Sequence, residues 1–267
     1  MEKLLQTDHL LTATGRDPDK AACFSWFPKI KFIPFDLNAL PDDKNIHDFL
    51  GRPDLLIHLA WEGLPNYRSM FHLEKNYPLH CRFLQKMIEG GLSSLVVTGT
   101  CLEYGMQEGC LSENMTGRPV VAYAEAKKKL LGHLMGLQAA HAFKFKWVRL
   151  FYTYGHGQNE NAILSQLDKA LERGDLSFNM SGGEQLRDYL PVEKAAEYIV
   201  RIALQDKITG IINCCSGQPV SIRKFVEDYL GMKKKEIKLN LGHYPYLDYE
   251  PMAFWGDTLK LQEAVSG

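Results

Sequence analysis

Short, nearly continuous apolar runs alternate along this chain with longer stretches whose apolar positions recur at helical spacing. Residues 10–14 read as a strand, GRDPDKA as a turn entering a helix, and IKFIPFDL as a second short strand with Ile30, Phe32 and Pro34 alternating. DLLIHLAW and SSLVVTGT are apolar almost throughout, the pattern of strands covered on both faces. Residues 67–89 read as a long helix stopped by Gly90–Gly91. Residues 122–141, dominated by Ala, Leu, Met and Lys, read as another, and FKWVRLFY as a further strand. Strands alternating with helices of this length predict an α/β fold, a parallel sheet with helices on both faces.

Past Gly155 the rhythm loosens. NENAILSQLDKALERGD, PVEKAAEYIVRIAL and SIRKFVEDYLG read as helices, the last with Ser221 as N-cap, and GIINCCS and KLNLG as strands. The aromatic tail YPYLDYEPMAFWGD reads as a pocket wall. No Pro/Gly/Ser linker separates the halves, so 1–155 and 156–267 are expected to form a main region and a closely packed smaller lobe, with some later segments returning to the sheet. A length of 267 residues suits this division. The net charge of −1 gives no electrostatic case for nucleic acid or an anionic membrane. No apolar run approaches the ~20 residues of a membrane span, and Glu2 and Lys3 interrupt any signal-peptide core. The six cysteines show no metal-ligand spacing and read as reduced thiols of a cytoplasmic protein without a metal.

The chemistry lies in YAEAK. Tyr123 and Lys127, four apart on a helix, share a face. An ammonium beside a phenol favours the phenolate, and moving a tyrosine from ~10 to ~7 takes about 4 kcal/mol. A phenol so tuned can exchange a proton with a carbonyl or alcohol oxygen. Spacing alone is weak evidence, because Tyr229 and Lys233 repeat it at a helix end. Context separates the pairs: VVTGT, ahead of Tyr123, ends a parallel strand, and ligands bind outside the carboxyl ends of such strands. The Thr100 hydroxyl then faces the oxygen that Tyr123 protonates.

Thr100 with Tyr104–Gly105, followed by Tyr123 and Lys127, resembles the extended short-chain dehydrogenase/reductase family, in the branch of NAD(P)-dependent sugar-nucleotide epimerases, dehydratases and reductases. Further segments match in the family's order: FDL, HLAW, Asn76, RLFYTYGHGQ, RDYLPVEKAA and INCCSGQPVSI. The resemblance covers nearly the whole chain. It implies a Rossmann-like doubly wound fold with a substrate-binding lobe. It makes Tyr123 the acid/base, Lys127 a holder of the nicotinamide ribose and Thr100 the group that orients the substrate. It places Arg16, Asp36, Leu37, Leu59, Ala60, Asn76, Thr98 and Phe151 around the cofactor, with Thr100, Tyr152, Arg187 and Tyr249 around a nucleotide sugar. Arg16, after the first strand, stands where an arginine accommodates the 2′-phosphate of NADP, so NADP is expected ahead of NAD. A homodimer through the two long helices is also implied.

Departures narrow the activity. Cys101 and Leu102 stand where dehydratases of this branch carry Asp-Glu, which removes the acid/base pair for elimination. Cys101 reads foremost as a small buried thiol. Tyr152 replaces the usual substrate-binding Asn. A reductase of a 4-keto-6-deoxy sugar, or an epimerase, is the expected activity. MEKLLQTDHLLTATGRDPDKA opens late in the family's pattern, at its first helix and second strand. The glycine-rich turn that offers N–H groups to a pyrophosphate is therefore expected upstream of Met1. Without it, the alternative is a non-catalytic dinucleotide-binding or scaffold protein.

Overall fold

The computed structural model describes residues 1–41 and 44–266. The elements in chain order are β1 (Thr12–Gly15), α1 (Pro18–Ala22), β2 (Lys31–Pro34), α2 (Ile46–Phe49), β3 (Leu55–His58), α3 (Tyr77–Glu89), β4 (Ser94–Thr100), β5 (Gly109–Leu111) and α4 (Ala122–Leu137). Then follow β6 (Lys144–Leu150), β7 (Tyr152–Tyr154), α5 (Ile163–Arg173), β8 (Ser177–Asn179), β9 (Leu186–Pro191), α6 (Val192–Leu204) and β10 (Gly210–Cys214). The chain finishes with β11 (Pro219–Ser221), α7 (Ile222–Lys233), β12 (Lys238–Asn240), β13 (Phe254–Gly256) and α8 (Leu259–Val265).

The apolar runs read as doubly covered strands form a four-stranded parallel sheet in the order β10-β6-β4-β3. β1 and β2 pair in parallel as a separate two-stranded sheet. Both faces of the larger sheet are covered, as in a Rossmann-like α/β fold. On one face Leu84, Met87, Leu130 and Leu134 of α3 and α4 pack against Leu95, Val97 and Trp147. On the other, Ile202 and Ala203 of α6 and Leu261 of α8 pack against Val96, Val148 and Ile212. Alternate residues of β4 thus enter opposite cores, the period of a strand.

Two expected helices are shorter than their periodicity. Residues 67–71 do not join the first long helix; a π-turn, His72–Asn76, precedes α3. The cause is Pro78, which has no N–H to give, and the Tyr77 N–H reaches back to the His72 carbonyl instead. α4 ends at Leu137 rather than 141.

β7, β9 and β11 form a separate three-stranded sheet. It is tied to its neighbours by Asp188 on β9, which is fully buried. Its carboxylate accepts from Ser216 N and Oγ at 2.7 Å, Gly217 N at 2.8 Å and Gly256 N at 3.2 Å. Among the described residues no helix is long and apolar enough to cross a membrane. Asp188→Ala strands these donors and is expected to cost about 3 kcal/mol, read as a lower urea midpoint; an unchanged midpoint contradicts the tie.

Candidate active site

β4 runs out at Thr100, and the chain turns at once into a 3₁₀ turn, Cys101–Tyr104. Thr100 caps it: its hydroxyl accepts from Leu102 N at 3.3 Å, and Glu103 accepts from Thr100 N at 2.9 Å. Gly105 must be glycine, since its φ is 72° and a Cβ there would lie 1.8 Å from the Arg118 carbonyl oxygen. α4 then lays Tyr123 and Lys127 on its face toward β4. The Lys127 ammonium donates to the Thr98 carbonyl at 2.8 Å. The Thr100 side chain lies near enough to the Tyr123 phenol to oppose its upward shift, as the smallest of the effects on it. The three residues expected to carry the chemistry therefore meet at the carboxyl end of a central strand.

Their electrostatics differ from the expectation. Tyr123 and Lys127 are both buried, and burial pushes the phenol up, assisted by the charge of Glu103. Burial pushes Lys127 down to about 7, with Glu103 opposing the fall. An ammonium beside a phenol would favour the phenolate, but here both groups leave water together and burial dominates. In this arrangement the phenol is held protonated and the lysine sits near its titration point.

Side chains not singled out as chemistry wall the site. The Lys127 ammonium lies 4.1 Å from the Trp61 ring centre, and Trp61 stacks on His80 at 4.7 Å. Trp61 donates to His72 Nδ1 at 3.1 Å, and His58 Nε2 pairs with His80 Nδ1 at 2.9 Å. Burial lowers all three imidazoles, His80 to about 3. A signal was present: His72, Asn76 and His80 recur every four residues and share one face. Asn76 is buried, donates to the Glu62 carbonyl at 2.9 Å and leaves its Oδ1 without a partner.

The remaining candidates spread around this centre. Asp36 accepts from Asn38 N and Nδ2, which lowers its carboxyl; Arg16 and Lys75 add smaller effects. Leu37 beside it is half-buried, and Leu59 and Ala60 after β3 are exposed. Arg16 forms an ion pair with Glu62. Thr98 is buried with its hydroxyl 3.4 Å from the His58 carbonyl. Phe151 packs in a small core with Cys101, Tyr104 and Phe254. On the lobe side, Arg187 is almost fully buried and donates to Glu250 at 2.9 Å. The Arg187 Nε and the Tyr152 hydroxyl are both buried without partners. Tyr249 stands edge-on to Tyr67 at 6.4 Å, and Tyr67 lies 5.6 Å from Tyr123. Burial raises the Cys101 thiol, so it is no acid/base at neutral pH. Tyr229 and Lys233 are a clamp between helices, both donating to Asp168 at 2.7 Å.

Thr100, Tyr123 and Lys127 thus gather at the carboxyl edge of a parallel sheet, the place where such sheets bind ligands. Residues 1–215 match the NAD dependent epimerase/dehydratase family, and the chain belongs to that enzyme family. It is 31% identical over 222 residues to the dTDP-6-deoxy-L-talose 4-dehydrogenase (NAD(+)) of Aggregatibacter actinomycetemcomitans, covering 83% of this chain and 81% of that protein. It is 27% identical over 218 residues to a GDP-6-deoxy-D-talose 4-dehydrogenase of the same organism, covering 79% and 72%. Its fold superposes with a TM-score of 0.84 on the UDP-N-acetylglucosamine 4-epimerase of Methanobrevibacter ruminantium M1, at 18% identity over 98% of this chain and 85% of that one.

The lysine shift has a thermodynamic sign. Lys127 is held near 7 in the fold and titrates near ~10.4 when unfolded. Between those values the unfolded chain binds the extra proton, so stability rises with pH through that window and the burial cost is complete below it. Lys127→Met is expected to flatten this rise and to leave the urea midpoint at pH 6 no lower than wild type. A steep rise retained by the variant would assign it to another group.

Proposed function

We propose that this chain catalyses NAD-dependent oxidoreduction at a secondary carbon of a nucleoside-diphosphate-linked hexose, with reduction of a 4-keto-6-deoxy sugar as the favoured substrate class and direction. The observation that carries the proposal is the meeting of the Tyr123 phenol and the Thr100 hydroxyl beside Lys127 at the end of β4. The relatives named as deoxytalose 4-dehydrogenases support the substrate class.

The residues fit a dinucleotide. The orphaned Oδ1 of Asn76 is a buried acceptor with no protein partner, the condition of a group kept for a ligand. Lys127 and Asn76 with Ala60, Leu59, Thr98 and Phe151 would surround the nicotinamide end, and Asp36 with Leu37 the adenine end. The nicotinamide, when bound, supplies or accepts the hydride. The chain's own residues handle the proton. Tyr123, held neutral by burial, donates its proton to the carbonyl oxygen as that oxygen becomes an alkoxide. Thr100, beside the phenol, orients the same oxygen. Arg187, with its unpaired Nε, and the free Tyr152 hydroxyl suit a diphosphate and a sugar hydroxyl, and Tyr249 would close the site from the tail. With Cys101 buried and its thiol raised, elimination of water has no acid/base beside Thr100, which supports reduction over dehydration.

NAD is placed ahead of NADP, reversing the order suggested by Arg16 alone. The Arg16 charge is already matched by Glu62, and that carboxylate opposes a 2′-phosphate. A homodimer through the outward faces of α3 and α4, where Met135 is exposed, completes the proposal; light scattering is expected to give twice the chain mass.

The deciding experiment follows NADH oxidation with dTDP- and GDP-linked 4-keto-6-deoxyhexoses. Tyr123→Phe is expected to lower kcat by about 10²–10⁴-fold while fluorescence titration shows NADH binding retained. Binding without turnover of any keto-sugar nucleotide by the wild type would reduce the protein to a binding module. Glu62→Gln is expected to raise relative use of NADPH, and an unchanged NADH/NADPH ratio would remove Glu62 from cofactor choice.

A further inference from the structure

Beneath the Thr–Tyr–Lys centre lies a carboxylate that its chemistry has not used. Glu103 is fully buried in the first turn after β4. It accepts from Thr100 N at 2.9 Å, from the Trp147 indole at 3.0 and 3.1 Å, and from the Arg149 guanidinium at 2.9 Å. The donors come from two strands, β4 and β6, and leave the carboxylate little freedom. Arg149 lies 4.4 Å from the Tyr104 ring centre, and Tyr104 donates to Asn213 on β10 at 2.8 Å. The network thus crosses three strands of the sheet.

The strand above is built around this carboxylate. A Cβ on Gly99 would fall 2.1 Å from the Trp147 Nε1 and 2.5 Å from Glu103 Oε1. Only glycine at this position lets the indole and the carboxylate meet under the strand. The capping box then fixes the backbone of Thr100, whose hydroxyl accepts from Leu102 N of the 3₁₀ turn and lies beside the Tyr123 phenol.

We propose that Glu103 is a positioning residue of the reaction: it aims the Thr100 hydroxyl at the Tyr123 phenol and holds a fixed negative charge below Tyr123 and Lys127. This role rests on the reading of Thr100 and Tyr123 as the pair that handles the reacting oxygen. The titratable groups facing Lys127 are His58 on β3, His72 in the π-turn, His80 on α3, Tyr123 on α4 and Glu103, with Arg149 of β6 behind Glu103. Burial and the Lys127 charge hold the three imidazoles down, and burial holds the phenol up. Glu103 is the charge that supports the ammonium, while it disfavours the phenolate.

Two substitutions separate aim from charge. Glu103→Gln keeps an acceptor of the same reach and removes the charge; Glu103→Asp keeps the charge and withdraws it from Thr100. In the full chain labelled with ¹³Cε-lysine, the Lys127 resonance is the one missing from Lys127→Met. Its midpoint is expected near 7 in wild type, lower by about one unit in Glu103→Gln, and unmoved in Glu103→Asp. Glu103→Asp is expected to lower kcat about tenfold with little change in the KM for the sugar nucleotide. A Lys127 midpoint and a kcat/KM–pH profile both unchanged in Glu103→Gln, with only the melting temperature lowered, would make Glu103 a structural residue and overturn the proposal. If Glu103→Gln does not fold, wild-type kcat in Glu103→Asp overturns it. Absence of turnover in the wild type refutes the functional reading instead, and the lysine titration still decides the charge half of the role.

Discussion

Burial of charge beneath the carboxyl end of β4 is the constraint around which the rest of the molecule is arranged. Lys127 and Arg149 are both taken out of water there, and each removal is unfavourable unless the group finds partners. The two receive different solutions. Arg149 has a direct ion pair with Glu103 and an aromatic face on Tyr104. Lys127 has a single carbonyl, the face of an indole, and only the field of Glu103. The first arrangement pairs a charge and links three strands, though the Arg149 Nη1 stays buried without a partner. The second leaves an ammonium under-supported, which is the condition for a lysine that responds to what enters the site.

The same reasoning separates the two tyrosine–lysine pairs. Tyr229 and Lys233 have the spacing of Tyr123 and Lys127, yet both donate to Asp168, and Lys233 is raised by that contact. An exposed pair beside a carboxylate is a helix clamp. A buried pair at the end of a parallel strand has its hydrogen bonds only partly used, and a reacting oxygen can take the rest. Four-residue spacing says that side chains share a face; burial and the arriving strand say what that face does.

Much of this architecture was legible in the chain. DLLIHLAW, SSLVVTGT and FKWVRLFY announced their strands because a doubly covered strand must be apolar throughout, and their parallel pairing followed from the helices between them. Among the short strands, KLNLG was legible and forms β12, whereas others were not. β5 and β13 are three residues each and exist because Phe254, Leu111 and the Cys215 side chain close a small core from distant parts of the sequence. The π-turn before α3 was not legible, because periodicity does not register the missing N–H of Pro78. Within the site, Thr100, Tyr123 and Lys127 were readable from motif and context, whereas Glu103 was not. Its partners Trp147 and Arg149 lie more than forty residues away, and the one local hint was Gly99, a small residue in an otherwise bulky strand.

In the proposed reaction, placing these groups together favours one direction. A phenol raised by burial is a proton donor that stays loaded across neutral pH, while the reverse reaction needs the phenolate that burial and Glu103 both disfavour. A lysine lowered to about 7 regains its charge when an anion approaches, because an opposite charge favours the protonated form. Glu103 sits behind both effects, supporting the lysine and restraining the tyrosine from one buried position. The fold holds this balance by hydrogen bonds to β4 and β6, so the acid–base character of the site follows from the register of the sheet.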